Sequence, residues 1–144
     1  MKKILYISNI EVPYRVTFFN ELSKLCDLTV LYERKLSSNR NKDWSISVRP
    51  GGYNVIYLSG FNYRNENSLS LKILKIIRQD WDHIIIGCYN SITQMLAISY
   101  MRLCGIKYMI NLDGEQFINN DLKGKIKKLV LKGALAYLTA GEKS

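Results

Sequence analysis

Asp113 and Glu115 flank Gly114 in the segment Asn111-Leu-Asp-Gly-Glu115. The glycine permits a tight turn, and a carboxylate so placed can take a proton from a hydroxyl or steady a cationic transition state. Such acid–base help is worth about 10² to 10⁴ in rate. Asp-Gly is also a common turn pair, so both readings stay open. A second group is Cys88-Tyr-Asn-Ser-Ile-Thr93, where Asn90, Ser91 and Thr93 gather amide and hydroxyl groups at a helix start. The free N–H groups of a first turn make a seat for sugar hydroxyls or an anion, and the plain reading of Ser91 is a helix cap. A third group is Pro13-Tyr14-Arg15. Proline suits a first helical turn, and Arg15 offers a planar five-donor fork to a phosphate or a sugar hydroxyl, or else stands solvated.

Other chemistries are excluded by what these segments lack. The stretch Ser8-Asn-Ile-Glu-Val-Pro-Tyr-Arg15 has no GxGxxG, and no GxxxxGK[ST] occurs in the chain. Backbone therefore cannot approach a pyrophosphate as dinucleotide-binding and P-loop folds require. The one histidine, His83, and the dispersed Cys26, Cys88 and Cys104 offer no zinc spacing. Each cysteine lies in an apolar stretch, which predicts buried, unbridged thiols in a reducing compartment.

The net charge of +9 favours an anionic partner such as phosphate, a nucleotide, nucleic acid or an acidic membrane face. Nucleic acid is set aside, because the aromatic residues are scattered and no recognition motif appears. Lys123, Lys125, Lys127, Lys128 and Lys132 crowd one helical segment, alongside an apolar stripe of Leu122, Ile126, Leu129 and Val130. The expected arrangement is that stripe in the core and a solvated basic face opposite. The alternative is docking on anionic lipid, at roughly 1 kcal/mol per lysine. The opening apolar run stops at Ser8-Asn9, too short for a signal peptide core, and no stretch is long enough to span a bilayer.

These residues must be positioned by a scaffold, and the periodicity supplies one. Strands are predicted at Ile4–Ile7, Leu28–Tyr32, Asn54–Leu58, His83–Cys88, Lys107–Leu112 and Ala136–Leu138. Helices are predicted from Pro13 to Cys26, Leu69 to Asp80, Ser91 to Cys104 and Asp121 to Lys132, with Gly105 as a stop. The stretch Glu33 to Gly52, which holds Trp44, and the stretch Ser59 to Ser68 read as loops. Consecutive Ile84, Ile85 and Ile86 indicate burial on both faces, as in the middle of a parallel sheet. The fold class is therefore α/β: one Rossmann-like open parallel sheet of about six strands with helices on both faces, over residues 1–144. Ligands in such sheets bind beyond the carboxyl ends of the strands, which nominates residues 8–15, 59–68, 88–93 and 113–116.

Five stretches together resemble the N-terminal domain of the retaining glycosyltransferases of family 4, which have the GT-B architecture. They are Ile7-Ser-Asn-Ile-Glu-Val-Pro-Tyr-Arg15 with Phe18-Phe19 and Leu22; Trp44; Ile85-Ile-Gly-Cys-Tyr-Asn-Ser91; Asn111-Leu-Asp-Gly-Glu115; and Ala136-Tyr-Leu-Thr-Ala-Gly141. The likeness is greatest to bacterial enzymes that build surface polysaccharides. It implies a cytoplasmic, peripheral domain that binds a glycan or lipid-linked sugar acceptor at the inner face of the membrane. The nucleotide-sugar is then bound by a C-terminal domain outside this chain, with no metal or other cofactor, and this half alone transfers little or no sugar. On that reading Asp113 and Glu115 are catalytic, and Tyr14, Arg15, Asn90, Ser91, Thr93 and Gly114 bind substrate. The competing expectation is a stand-alone Rossmann-like module that binds an anionic ligand or a protein partner without catalysis.

Overall fold

A computed structural model describes residues 1–34, 51–63, 67–89, 91–112 and 122–139. Six strands form one parallel sheet: β1 (Lys3–Ser8), β2 (Asp27–Tyr32), β3 (Asn54–Tyr57), β6 (His83–Ile86), β7 (Met109–Leu112) and β8 (Ala136–Thr139). Two shorter strands, β4 (Phe61–Tyr63) and β5 (Asn67–Leu69), pair as an antiparallel hairpin that spans the stretch read from sequence as a loop and takes in Leu69, read as the start of the next helix. The helices are α1 (Pro13–Leu22), α2 (Lys72–Ile77), α3 (Ile92–Leu103) and α4 (Leu122–Lys132).

The spatial order is β3-β2-β1-β6-β7-β8. The chain runs outward from β1 to β3, then returns to β6 beside β1 and continues outward the other way. Crossovers between parallel strands are right-handed, so reversing the direction of travel moves the crossover helices to the opposite face. The two cores show the result. On one face Tyr6, Val30, Tyr32 and Ile85 pack with Phe19 and Leu22 of α1. On the other, Leu5, Ile7, Leu31, Ile84, Ile86 and Ile110 pack with α2, α3 and Val130 of α4. Alternation along each strand divides the residues between the faces: Leu5 pairs with Ile84 on one side, and Tyr6 with Ile85 on the other.

Among the described residues, this division leaves the β7–β8 half of one face without a helix. Among the described residues α1 is the helix on its side, and it covers the β1–β2 region. It reaches Ile85 of β6, and the same face of β7 and β8 has no described helix over it. The sheet edge at β1/β6, where the strand order reverses, is the place where such folds bind ligands.

Local signals account for the helix limits. Ser91 caps α3 by accepting from the Gln94 N–H, 3.1 Å away. Gly105 follows with φ +69, the left-handed conformation that ends a helix at low cost to glycine. Among the described residues no helix is long and apolar enough to cross a membrane.

Three expectations are corrected. Cys26 is buried as expected, but Cys88 is half-buried and Cys104 is exposed at the end of α3. Burial and the charge of Asp27 push the Cys26 thiol up. The apolar stripe of α4 is not the packed face: Val130 is buried, whereas Leu122, Ile126 and Leu129 are exposed. The hairpin replaces an irregular loop because cross-strand hydrogen bonding, from Phe61↔Leu69 to Tyr63↔Asn67, satisfies backbone groups of that polar stretch.

Candidate functional site

Pro13 occupies the first turn of α1, where its missing N–H costs nothing, and Val12 precedes it in extended conformation. The backbone N–H groups of Arg15 and Val16 both donate to the Val12 carbonyl at 3.1 Å. With the entry fixed in this way, helical spacing brings Tyr14, Arg15, Phe18 and Leu22 to the edge of α1 that borders the open sheet face. Strand alternation brings Tyr6, Ile85, Asn111 and Leu138 to that face from β1, β6, β7 and β8. Together they line a groove of about 510 Å³. Tyr14 and Phe18 stand well exposed along its wall.

The polar groups of the groove meet at the Tyr6 hydroxyl. It accepts from Arg15 Nη1 at 3.1 Å and from Asn111 Nδ2 at 2.6 Å. Arg15 Nη2 donates to the Gly87 carbonyl at 3.4 Å, and the guanidinium lies 5.9 Å from the centre of the Tyr6 ring. The ring is held from below by Phe19, edge-on at 4.8 Å. Arg15 is thus pinned in orientation at the mouth of the groove, beside the point of strand reversal.

Gly87 makes this approach possible. A Cβ there would lie 2.5 Å from Tyr6 Cε1, 2.8 Å from Arg15 Nη1 and 3.0 Å from the Ile7 carbonyl oxygen. A site so built offers aromatic faces for the C–H surface of a sugar, an apolar floor and a guanidinium fork for a phosphate.

A second polar cluster lies near the carboxyl ends of β1–β3 and at the start of α3. The buried Glu33 accepts from Ser91 Oγ at 2.5 Å, placing a carboxylate at the positive end of α3. Thr93 is buried, and its Oγ1 accepts from the Ser70 N–H at 3.2 Å. Tyr57 donates to Glu11 at 2.7 Å and stacks on Tyr32. Burial first, then the hydrogen bond to Glu11 and its charge, push the Tyr57 phenol up to about 12. Burial also raises the phenols of Tyr32 and Tyr53.

Of the residues predicted from sequence, Tyr14 and Arg15 line the groove. Ser91 and Thr93 are buried in the second cluster, where their hydroxyls hold α3 to β2 and to the segment before α2. Asn90, Asp113, Gly114 and Glu115 lie outside the described residues, as does Trp44. Sequence reading missed Tyr6, Phe18, Glu11 and Glu33 as polar or aromatic site groups. Tyr6 breaks the aliphatic run of β1, the one signal that could have marked it. Nothing local marks Glu33, whose partner is 58 positions away. Among the described residues no three His, Cys, Asp or Glu side chains gather as metal ligands. No protein-family model and no curated protein matches this chain, so the reading of the site rests on its own residues.

Proposed function

We propose that this chain is the acceptor-binding domain of a glycosyltransferase of the GT-B kind, working at the inner membrane face on a glycan or lipid-linked sugar. The observation that carries the reading is the Tyr6–Arg15–Asn111 cluster at the mouth of an open apolar groove walled by Tyr14 and Phe18. The aromatic walls and apolar floor suit the C–H faces of sugar rings, and Arg15 suits a phosphate borne by the acceptor. The β1–α1 turn lacks glycine, which fits an acceptor rather than a nucleotide-sugar there. The donor is assigned to a partner domain, and Asp113 or Glu115 to orienting the attacking hydroxyl.

The test is calorimetric titration with a short-chain lipid-diphosphate sugar and, separately, with nucleotide-sugars. The acceptor analogue is expected to bind and nucleotide-sugars are not. Arg15→Ala should weaken acceptor binding at least tenfold, the loss of one charge-assisted pair of about 1.5–3 kcal/mol. Tighter binding of nucleotide-sugars, or an Arg15→Ala variant that binds the acceptor unchanged, refutes the assignment.

A further inference from the structure

The helix α4 carries Leu-Lys-Gly-Lys-Ile-Lys-Lys-Leu-Val-Leu-Lys from Leu122 to Lys132, with no acidic residue. Its packing is the reverse of what its apolar stripe predicts. Gly124 and Val130 face the protein, while Leu122 is 75% and Leu129 57% exposed, with Ile126 at 38%. At 3.6 residues per turn these three fall within an arc of about 60°, pointing away from the core. Lys125 and Lys132, both exposed, border the same arc on one side. The fold anchors the helix firmly in this orientation. The Tyr108 hydroxyl donates to the Val130 carbonyl at 3.1 Å, Arg102 Nη1 donates to the Leu129 carbonyl at 2.5 Å, and Tyr137 donates to the Leu131 carbonyl. A helix held by its backbone at its carboxyl half, with its leucines turned outward, presents a fixed amphipathic face.

We infer that α4 is the surface by which this chain lies on an anionic bilayer, with Leu122, Ile126 and Leu129 entering the acyl boundary and Lys125 and Lys132 meeting lipid phosphates. Charge complementarity selects this occupant. Lys125 and Lys132 flank the apolar arc, the helix has no acidic residue and the chain carries +9, so a second copy of the chain would meet it with like charge, whereas an anionic leaflet is attracted. The pattern is that of an interfacial helix: a basic polar margin, an apolar face and low overall hydropathy. The α4 helix lies on the sheet face opposite α1, so docking turns the groove beside α1 towards water, where it meets the glycan end of an acceptor. This inference gives a surface to the peripheral location proposed above and rests on that location.

The experiment is flotation of the chain with phosphatidylcholine vesicles, with and without phosphatidylglycerol, across a salt series. Binding is expected only to the anionic vesicles and should weaken steadily with salt. Lys125→Gln with Lys132→Gln should lower the partition about 25-fold, at about fivefold per lysine. Leu122→Ser with Leu129→Ser should lower it at least tenfold with only a small loss of thermal stability, because both side chains are mostly exposed. Leu25→Ser, on an equally exposed leucine after α1, should bind as the parent does. Absence of binding to anionic vesicles, or equal binding to neutral ones, overturns both the location and the surface. Binding by the parent that the α4 substitutions leave unchanged overturns the surface alone. Self-association abolished by those same substitutions, without lipid binding, assigns the face to a second copy and likewise overturns the inference.

Discussion

Gly87→Ala tests the construction of the groove at its tightest point. The added methyl would lie 2.5 Å from Tyr6 Cε1, 2.8 Å from Arg15 Nη1 and 3.0 Å from the Ile7 carbonyl oxygen. The three neighbours differ in how far they can yield. The Ile7 carbonyl accepts from the Gly87 N–H at 2.8 Å and belongs to a central strand, so it cannot retreat without opening the sheet. The Tyr6 ring is packed on Phe19, and its hydroxyl accepts from both Arg15 and Asn111. Only the Arg15 side chain can swing away, and doing so breaks its bonds to Tyr6 and Gly87. Overpacking of this kind costs about 1–3 kcal/mol, and two rigid contacts put the expectation near 2–3 kcal/mol. For a chain of this size that lowers the melting temperature by about 8 °C. Urea unfolding and thermal melts of the parent, Gly87→Ala, Arg15→Ala and the double variant form a complete cycle. Since Arg15→Ala removes one of the three clashes, the double variant should be more stable than the sum of the single losses by about 0.5–1 kcal/mol. A Gly87→Ala chain within about 0.5 kcal/mol of the parent would refute the close-approach argument, and with it the claim that Arg15 is pinned.

Ser91→Ala removes the α3 cap and one partner of the buried Glu33 carboxylate, with an expected loss of about 2 kcal/mol by urea unfolding. Ser91→Thr should retain most of that, and equal losses for both would count against capping. Tyr57→Phe should reduce alkaline sensitivity. Because the folded phenol is held near 12, its contribution is complete below about pH 10 and fades as the pH rises towards 12, so the two chains should converge there in pH-dependent melts. Asp82 is held below its ordinary 3.8, first by the Lys3 N–H at 2.8 Å and then by Lys2. Its contribution is therefore present above that value and lost as pH falls through the lower folded value. Asp82→Asn should be less stable at pH 7, the gap closing below pH 4; a gap that persists in acid would contradict the assignment.

Much of the architecture was legible without coordinates, for reasons that are local. The run Ile84–Ile86 required apolar surroundings on both faces of the sheet, and the two cores provide them, Ile84 and Ile86 in one and Ile85 in the other. Ser91 and Gly105 bracket α3 by capping physics confined to a single turn. The handedness of each crossover follows from the chirality of the chain, so helices on both faces were expected once the strands were recognised, whereas the point of reversal at β6 was not. Pro13 likewise marked the start of α1 and placed Tyr14 and Arg15 at the ligand edge.

Contacts between distant segments were not legible. Tyr6 and Asn111 are 105 positions apart, and only the β1-β6-β7 adjacency brings the amide to the phenol. Ser91 reads as a cap in sequence, but that it also holds Glu33 depends on β2 ending beside α3. The lysine-rich helix shows the point most clearly. Its pattern marked an amphipathic helix, yet which face turns inward was decided by Tyr108, Arg102 and Tyr137, which grip its backbone and leave the leucine stripe in solvent. Periodicity specifies faces, because it is a property of a single helix. Their orientation belongs to the packed molecule, since it depends on which neighbours offer hydrogen bonds and where.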